Sequence, residues 1–202
     1  MNEAAKNTKS TRRIVICAMM IAITLIMSYT PIGMIPLGTV SATISHVPAI
    51  ITAILLGPLE GVIVGTAFGI ITLFKALTSP AGILDPLFVN PIISVLPRAL
   101  IGLTTGYSYI GLKKLKDKFK GADIFAIAVS GCIGSMTNTI FVMGLIYFIY
   151  GKDLIAMLAV ENLQAVRVLV IATITGSGII EMIVAAIITT IVAKGIKTAL
   201  HL

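Results

Sequence analysis

The sequence predicts an all-α integral membrane protein with six transmembrane helices and both termini on the cytoplasmic side. Three observations carry that expectation. Of 202 residues, 57% are hydrophobic and 11% charged, and the mean hydropathy is +1.08, whereas soluble domains run at about 45–50% apolar and ~25% charged. Apolar runs of about 20 residues, the length a helix needs to cross a bilayer, recur along the whole chain. The basic residues behind the net charge of +7 fall at the ends of those runs, which orients helices in a membrane rather than marking a nucleic-acid surface.

The first span reads from Arg13 to Tyr29. The basic stretch before it imitates a secretory leader, but no small-x-small cleavage site follows the apolar run; it reads as a retained helix behind a cytoplasmic tail of residues 1–12. "TPIGMIPLG" ends the span, because its prolines and glycines stop a helix. The second span, Thr43 to Leu56, is short for a crossing at ~1.5 Å per residue and closes on the turn "GPLEG". The third runs from Gly61 to Leu77, and "TSPAGILDPLFVNP" after it is a second substantial loop. The fourth starts at Pro91, whose missing N–H is harmless in a first turn, and continues to Leu112 despite Pro97. After the basic linker "KKLKDKFKGAD" come the fifth span, Ile124 to Tyr150, and the sixth, Val166 to Val192, joined by "GKDLIAMLAVENLQAVR". Residues 1–202 read as one membrane domain.

If the spans alternate, Lys6, Lys9, Arg12, Arg13, Lys113, Lys114, Lys116, Lys118, Lys120, Lys194 and Lys197 share one side. The positive-inside rule makes that side cytoplasmic. The loops after spans one, three and five then face outward, and long, turn-rich loops gathered on one face carry function.

Several chemistries are excluded. Cys17 and Cys132 lie inside apolar runs without C-x-x-C spacing, so neither a disulfide framework nor a zinc site is indicated. There is no G-x-x-x-x-G-K-[ST] phosphate loop, no H-E-x-x-H and no G-x-S-x-G, and "TGSGIIE" lacks the third glycine of a dinucleotide loop. The chain cannot hydrolyse ATP alone.

The polar residues inside apolar runs are His46, Arg98, Asn138 and Glu181. A charge at mid-bilayer costs at least ~2.5–3.5 kcal/mol, so such groups face a wet cavity or a partner. Arg98 lies about 10 Å into its span from the outer end, and Asn138 about three turns below the outer end of its own, so both can line an outward-facing cavity. Arg98 either binds a carboxylate through its planar fork, pairs internally with Glu181, or snorkels outward. Asn138 suits an amide or hydroxyl, or an interhelical bond. His46 and Asn90 are the further candidates for ligand contact, with Lys75 and Asp85 flanking the same loop; local bonding is the alternative for each. Glu60 reads as a solvated turn residue. Ala18 and Ala22 lie four apart on one face of span one, and Gly61, Gly65 and Gly69 repeat that interval in span three, a spacing that lets helix backbones approach closely.

Taken together, "AMMIA" in span one, "IPLGTVSATISHVPAIITAILLGPLEGVIVGTAFGI" across spans two and three and "FVNPIISVLPRALIG" at span four resemble the substrate-binding S component of an energy-coupling factor (ECF) vitamin transporter, over nearly the whole chain. The match looks most like the pantothenate type. The resemblance implies a pocket built by spans four to six and capped by the outer loops. It implies docking through spans one to three, with Ala18 and Ala22 at the interface, onto a membrane coupling subunit that carries two ATPases. It also implies a multi-pass protein of a prokaryotic plasma membrane, surrounded by lipid, that binds no cofactor and no nucleic acid, ATP being hydrolysed by the partner subunits.

Pantothenate's carboxylate, amide and hydroxyls match Arg98 and Asn138, and the absence of tryptophan disfavours a flat ring that gains from stacking. The alternatives are the same subunit type for riboflavin or another vitamin, and, more distantly, an intramembrane enzyme using Glu181, His46 or Asp85. A self-sufficient ion-coupled carrier would show an internal repeat or matched broken helices, and neither is present in the sequence.

Overall fold

The computed structural model describes residues 3–37, 40–80, 82–114 and 121–199. α1 (Glu3–Tyr29) leads through a 3-10 turn (Pro31–Gly33) into an antiparallel hairpin, β1 (Met34–Leu37) and β2 (Val40–Thr43), with Met34 opposite Thr43. Then come α2 (Val47–Leu55), α3 (Pro58–Thr78), a 3-10 turn (Asp85–Val89), α4 (Pro91–Ser94), α5 (Leu96–Lys113), α6 (Ala122–Tyr150), α7 (Asp153–Met157), α8 (Leu163–Thr175) and α9 (Ser177–Ala199). Among the described residues, four stretches are long and apolar enough to cross a membrane: Ser10–Tyr29, Pro58–Thr78, Ala122–Tyr150 and Leu163–Ala199.

The structure refines the sequence reading at five places. The tail read as residues 1–12 is already helical from Glu3, so Lys6 and Lys9 sit on α1. The loop after the first span contains the β1–β2 hairpin, consistent with its β-branched residues. Span four is broken at Val95, which separates α4 from α5, because Pro97 has no N–H to offer the carbonyl four residues back. The last span is two helices, α8 and α9, meeting at Gly176; a glycine tolerates the backbone change there. Glu60, expected to be solvated, is instead paired with Arg13 at 3.0 Å, and Arg13 also donates to the Leu56 carbonyl at 2.8 Å, fastening α1 to the α2–α3 turn. In the basic linker Lys113 and Lys114 end α5, and Lys116, Lys118 and Lys120 lie outside the described residues.

The molecule is turned inside out relative to a soluble protein. Phe148, Ile14 and Ile191 are 83%, 67% and 67% exposed, whereas Thr24, Ser94, Thr105, Ser130 and Thr189 are fully buried. Apolar side chains facing outward fit a hydrocarbon solvent. Many hydroxyls bond the carbonyl one turn back, as Thr24 does to Met20 and Thr52 to Pro48, both at 2.8 Å, which satisfies them without a neighbouring helix. α2 is buried from Val47 to Ile54, which explains its apolar run without polar periodicity.

Two apolar clusters form the interior. One gathers around α2 with Ile50, Val64, Ile101, Ile127 and Ala185; the other holds Leu87, Ile93, Val142, Ile146, Leu154 and Val166. On α6, Asn138 and Thr139 fall between Ile127 of the first and Val142 of the second. Far from that level, at the other end of the bundle, Lys197 donates to both carboxylate oxygens of Asp123, at 2.7 and 2.8 Å, and to the Tyr109 hydroxyl at 2.6 Å, tying α5, α6 and α9 together.

α3 and α5 pack against each other through glycine. A Cβ on Gly65 would collide with the Arg98 carbonyl, and one on Gly69 would stand 2.6 Å from the Ser94 carbonyl oxygen and from Val95 Cα. Gly61 meets Gly102 in the same way. The glycine spacing in span three is therefore intramolecular packing. Gly65→Val should lower thermal stability in detergent by about 1–3 kcal/mol, the usual cost of overpacking. Gly144→Ala, where nothing lies within 4 Å of the added carbon, should leave the melting curve in place.

Candidate functional site

A cavity of about 380 Å³ is lined from α5 by Arg98, from α6 by Asn138, Thr139, Val142 and Met143, and from α9 by Ser177 and Glu181. α3 adds Phe68, Thr72 and Lys75, the segment before α4 adds Asp85 and Phe88, and Ser28, Thr43 and Ser45 complete the wall. Its size falls in the range of small-molecule sites, roughly 300–1,000 Å³.

Arg98 is 6% exposed and its orientation follows from its neighbour. Pro97 leaves the Ile93 carbonyl without the helical N–H it would otherwise receive, and Arg98 Nη1 donates to that carbonyl at 2.7 Å. The guanidinium carbon lies 4.9 Å from the Phe88 ring centroid and 5.4 Å from that of Phe68, close enough for both rings to hold the cation. Nε has no partner, and no ion pair joins Arg98 to Glu181 among the described residues. A guanidinium is a planar, permanently charged fork whose geometry matches that of a planar anion.

Asn138 is 8% exposed and its Oδ1, an acceptor, has no partner among the described residues. Glu181 is compensated from the hairpin side: its Oε1 accepts from Thr43 N at 2.9 Å and Thr43 Oγ1 at 3.0 Å, and its Oε2 from Thr139 Oγ1 at 3.4 Å. Lys75 donates to the Ser28 carbonyl at 2.7 Å, and Asp85 accepts from Gly82 N at 2.9 Å. The wall thus carries two cations and two carboxylates.

Of the residues singled out in the sequence, Arg98 and Asn138 meet at the cavity, and Lys75, Asp85 and Glu181 join them. Asn90 and His46 do not line it. Asn90 caps α4, its Oδ1 accepting from Ile92 N at 3.0 Å while its amide donates to Tyr150 at 3.3 Å. His46, 1% exposed, shares a 3.1 Å hydrogen bond between Nε2 and Ser135 Oγ. Ala18 and Ala22 are exposed on α1, beside Met19 and Ile23. Phe68, Phe88 and Thr43 carried no sequence signal, since each acquires its role by folding against a residue distant in the chain. Glu181 was visible as a carboxylate in an apolar run, but its threonine partners were not.

Residues 12–193 match the family model described as "ECF transporter, substrate-specific component". A "Pantothenate transporter PanT" of Leuconostoc mesenteroides is 32% identical over 139 residues, 66% of this chain and 67% of that one. A "Pantothenic acid transporter PanT" of Lactococcus lactis subsp. cremoris is 27% identical over 173 residues, 79% of this chain and 80% of its own. Among solved structures, the S component of a bacterial ECF transporter superposes with a TM-score of 0.58 at 18% identity, covering 95% of this chain and 98% of the other.

Because Asn90 is a helix cap, Asn90→Ala should cost about 1 kcal/mol of thermal stability. A cavity ligand should bind the variant within about threefold of the wild type, since no direct contact is removed. Calorimetric melting and titration of the same sample separate the two effects.

Proposed function

This chain belongs to the substrate-specific components of ECF transporters, and we propose that it is the member that captures pantothenate. The observation that carries the reading is that Arg98 and Asn138, each with a buried polar atom that has no partner among the described residues, line one cavity. Pantothenate offers one carboxylate, one amide and two hydroxyls. Its carboxylate pairs with Arg98, whose charge is permanent, and Asn138 accepts from its amide or a hydroxyl. The names of the two curated relatives point the same way. Asn90 and His46 act from behind the wall, one fixing the helix start that leads to Arg98 and the other bracing α6.

In the full reading, α1, α2, α3, α4–α5, α6 and α8–α9 are six membrane segments of one domain in a prokaryotic plasma membrane. The basic ends at Arg12, Arg13, Lys113, Lys114, Lys194 and Lys197 make the termini cytoplasmic. The energy comes from a membrane coupling subunit with two ATPases. The exposed α1 face around Ala18 and Ala22 docks onto that subunit, because small side chains let a second helix approach closely.

Titration of the detergent-purified chain should show pantothenate binding and no riboflavin binding; riboflavin alone would retire the assignment. Arg98→Ala should weaken pantothenate about 100-fold or more, as expected for truncating one side of a buried charge pair. The alcohol analogue lacking the carboxylate should bind wild type and variant alike. Ala18→Leu combined with Ala22→Leu should leave that titration unchanged while abolishing uptake in cells that hold the energising subunits.

A further inference from the structure

Capture of a carboxylate by Arg98 leaves Glu181 unexplained. It lies on the wall of the same cavity, 7% exposed, and a buried carboxylate facing an anion site is unfavourable unless it has work for its oxygens. Three donors reach it, two of them on Oε1 from Thr43. The bond to Oε2 from Thr139 is the long one, at 3.4 Å, beyond the usual range for hydroxyl donors. An ionised carboxylate accepts at about four sites, so Oε2 has capacity left.

The order of the helices matters as well. α6 packs against both α5 and α9, so Asn138 stands on the helix between the one carrying Arg98 and the one carrying Glu181. The cavity presents a cation, an amide and an anion on three successive helices. Pantothenate presents a carboxylate, an amide and a hydroxyl end in the same linear order.

Resting on the pantothenate reading, we propose that Glu181 is the specificity residue for the far end of the ligand. Its Oε2 accepts a hydrogen bond from the terminal hydroxyl, and its charge turns away a ligand phosphorylated there. A phosphate on that hydroxyl brings nearly two negative charges and no proton to donate. It meets a carboxylate whose donors are already engaged. The pocket therefore admits the free alcohol and turns away its phosphate ester.

The test is a titration of the purified chain with three probes: pantothenate, its analogue with the terminal hydroxyl replaced by hydrogen, and its terminal phosphate ester. In the wild type the deoxy analogue should bind about 10-fold more weakly or worse, the cost of leaving a buried charged acceptor unpaired. The phosphate ester should bind about 100-fold more weakly or worse, as like charges brought together require. Glu181→Gln should narrow the ester-to-pantothenate ratio at least about 10-fold by removing the repulsion, while Glu181→Asp keeps it. Pantothenate binding by the same sample reports that each variant is folded.

A deoxy analogue that binds as well as pantothenate overturns the proposal without any variant. So does an unchanged ratio in folded Glu181→Gln, which would make the exclusion one of size. Equal wild-type affinity for the ester would mean that Lys75 answers the phosphate, and it too overturns the proposal. If the wild type ignores pantothenate altogether, the capture reading itself fails and takes this one with it.

Discussion

The site depends on one vacancy in a helical ladder. Pro97 cannot donate to the Ile93 carbonyl, and an unpaired carbonyl inside an apolar bundle is costly. The next residue along, Arg98, fills it with Nη1. That bond decides where the guanidinium points and which of its edges stays free. Phe88, close to the break in the chain, and Phe68, carried in by α3, then hold the cation from two further contacts. Phe68 reaches it because Gly65 and Gly69 bring the α3 backbone against Arg98 and Ser94. A proline that breaks a helix and a glycine row that tightens a helix pair thus cooperate to place one charge.

Charge placement in such a medium follows a strict economy. With little water to screen or solvate, the ionisable groups in the wall are answered by fixed dipoles: Arg98 by a carbonyl and two rings, Glu181 by a backbone amide and two hydroxyls, Lys75 by the Ser28 carbonyl and Asp85 by the Gly82 amide. None relies on a mobile partner. Preorganisation of this kind means that a ligand entering the cavity meets donors and acceptors already oriented, and little reordering is required of the protein. Many neutral hydroxyls elsewhere in the interior bond the carbonyl one turn back on their own helix, as Thr24 and Thr52 do, whereas the charged groups of the wall draw on partners from other segments of the chain.

Much of this was legible in the chain, for reasons that can be named. The helical segments announced themselves by length and apolarity, and their ends by proline, glycine and lysine. Arg98 and Asn138 stood out because a polar group in an apolar run is expensive wherever it points. What escaped was whatever depends on two distant segments meeting. Asn90 looked like a binding residue because it is polar and sits in a loop, yet a residue just before Pro91 is in position to cap a helix, and that local role took its side chain. His46 was absorbed by Ser135 across the bundle. Glu181 seemed a natural counter-ion for Arg98; instead the hairpin delivers Thr43 to it, a partner 138 residues away in sequence. The hairpin itself was masked by a loop composition compatible with either outcome.

The salt bridge between Lys197 and Asp123, with Tyr109 attached, has a mechanical meaning. It fastens α5, α6 and α9 at the end of the bundle remote from the cavity. Three rods clamped at their base resemble the tines of a tuning fork, with apolar packing such as that of Ile93 and Ile146 holding them farther along. Any bend is smallest at the clamp and grows along the rod. For a helix of 29 residues, about 40 Å long, a tilt of about 5° displaces the tip by roughly 3–4 Å. Asn138 sits partway along α6, and Arg98 and Glu181 near the far ends of α5 and α9, where such a tilt alters the spacing between helices while the base keeps its register.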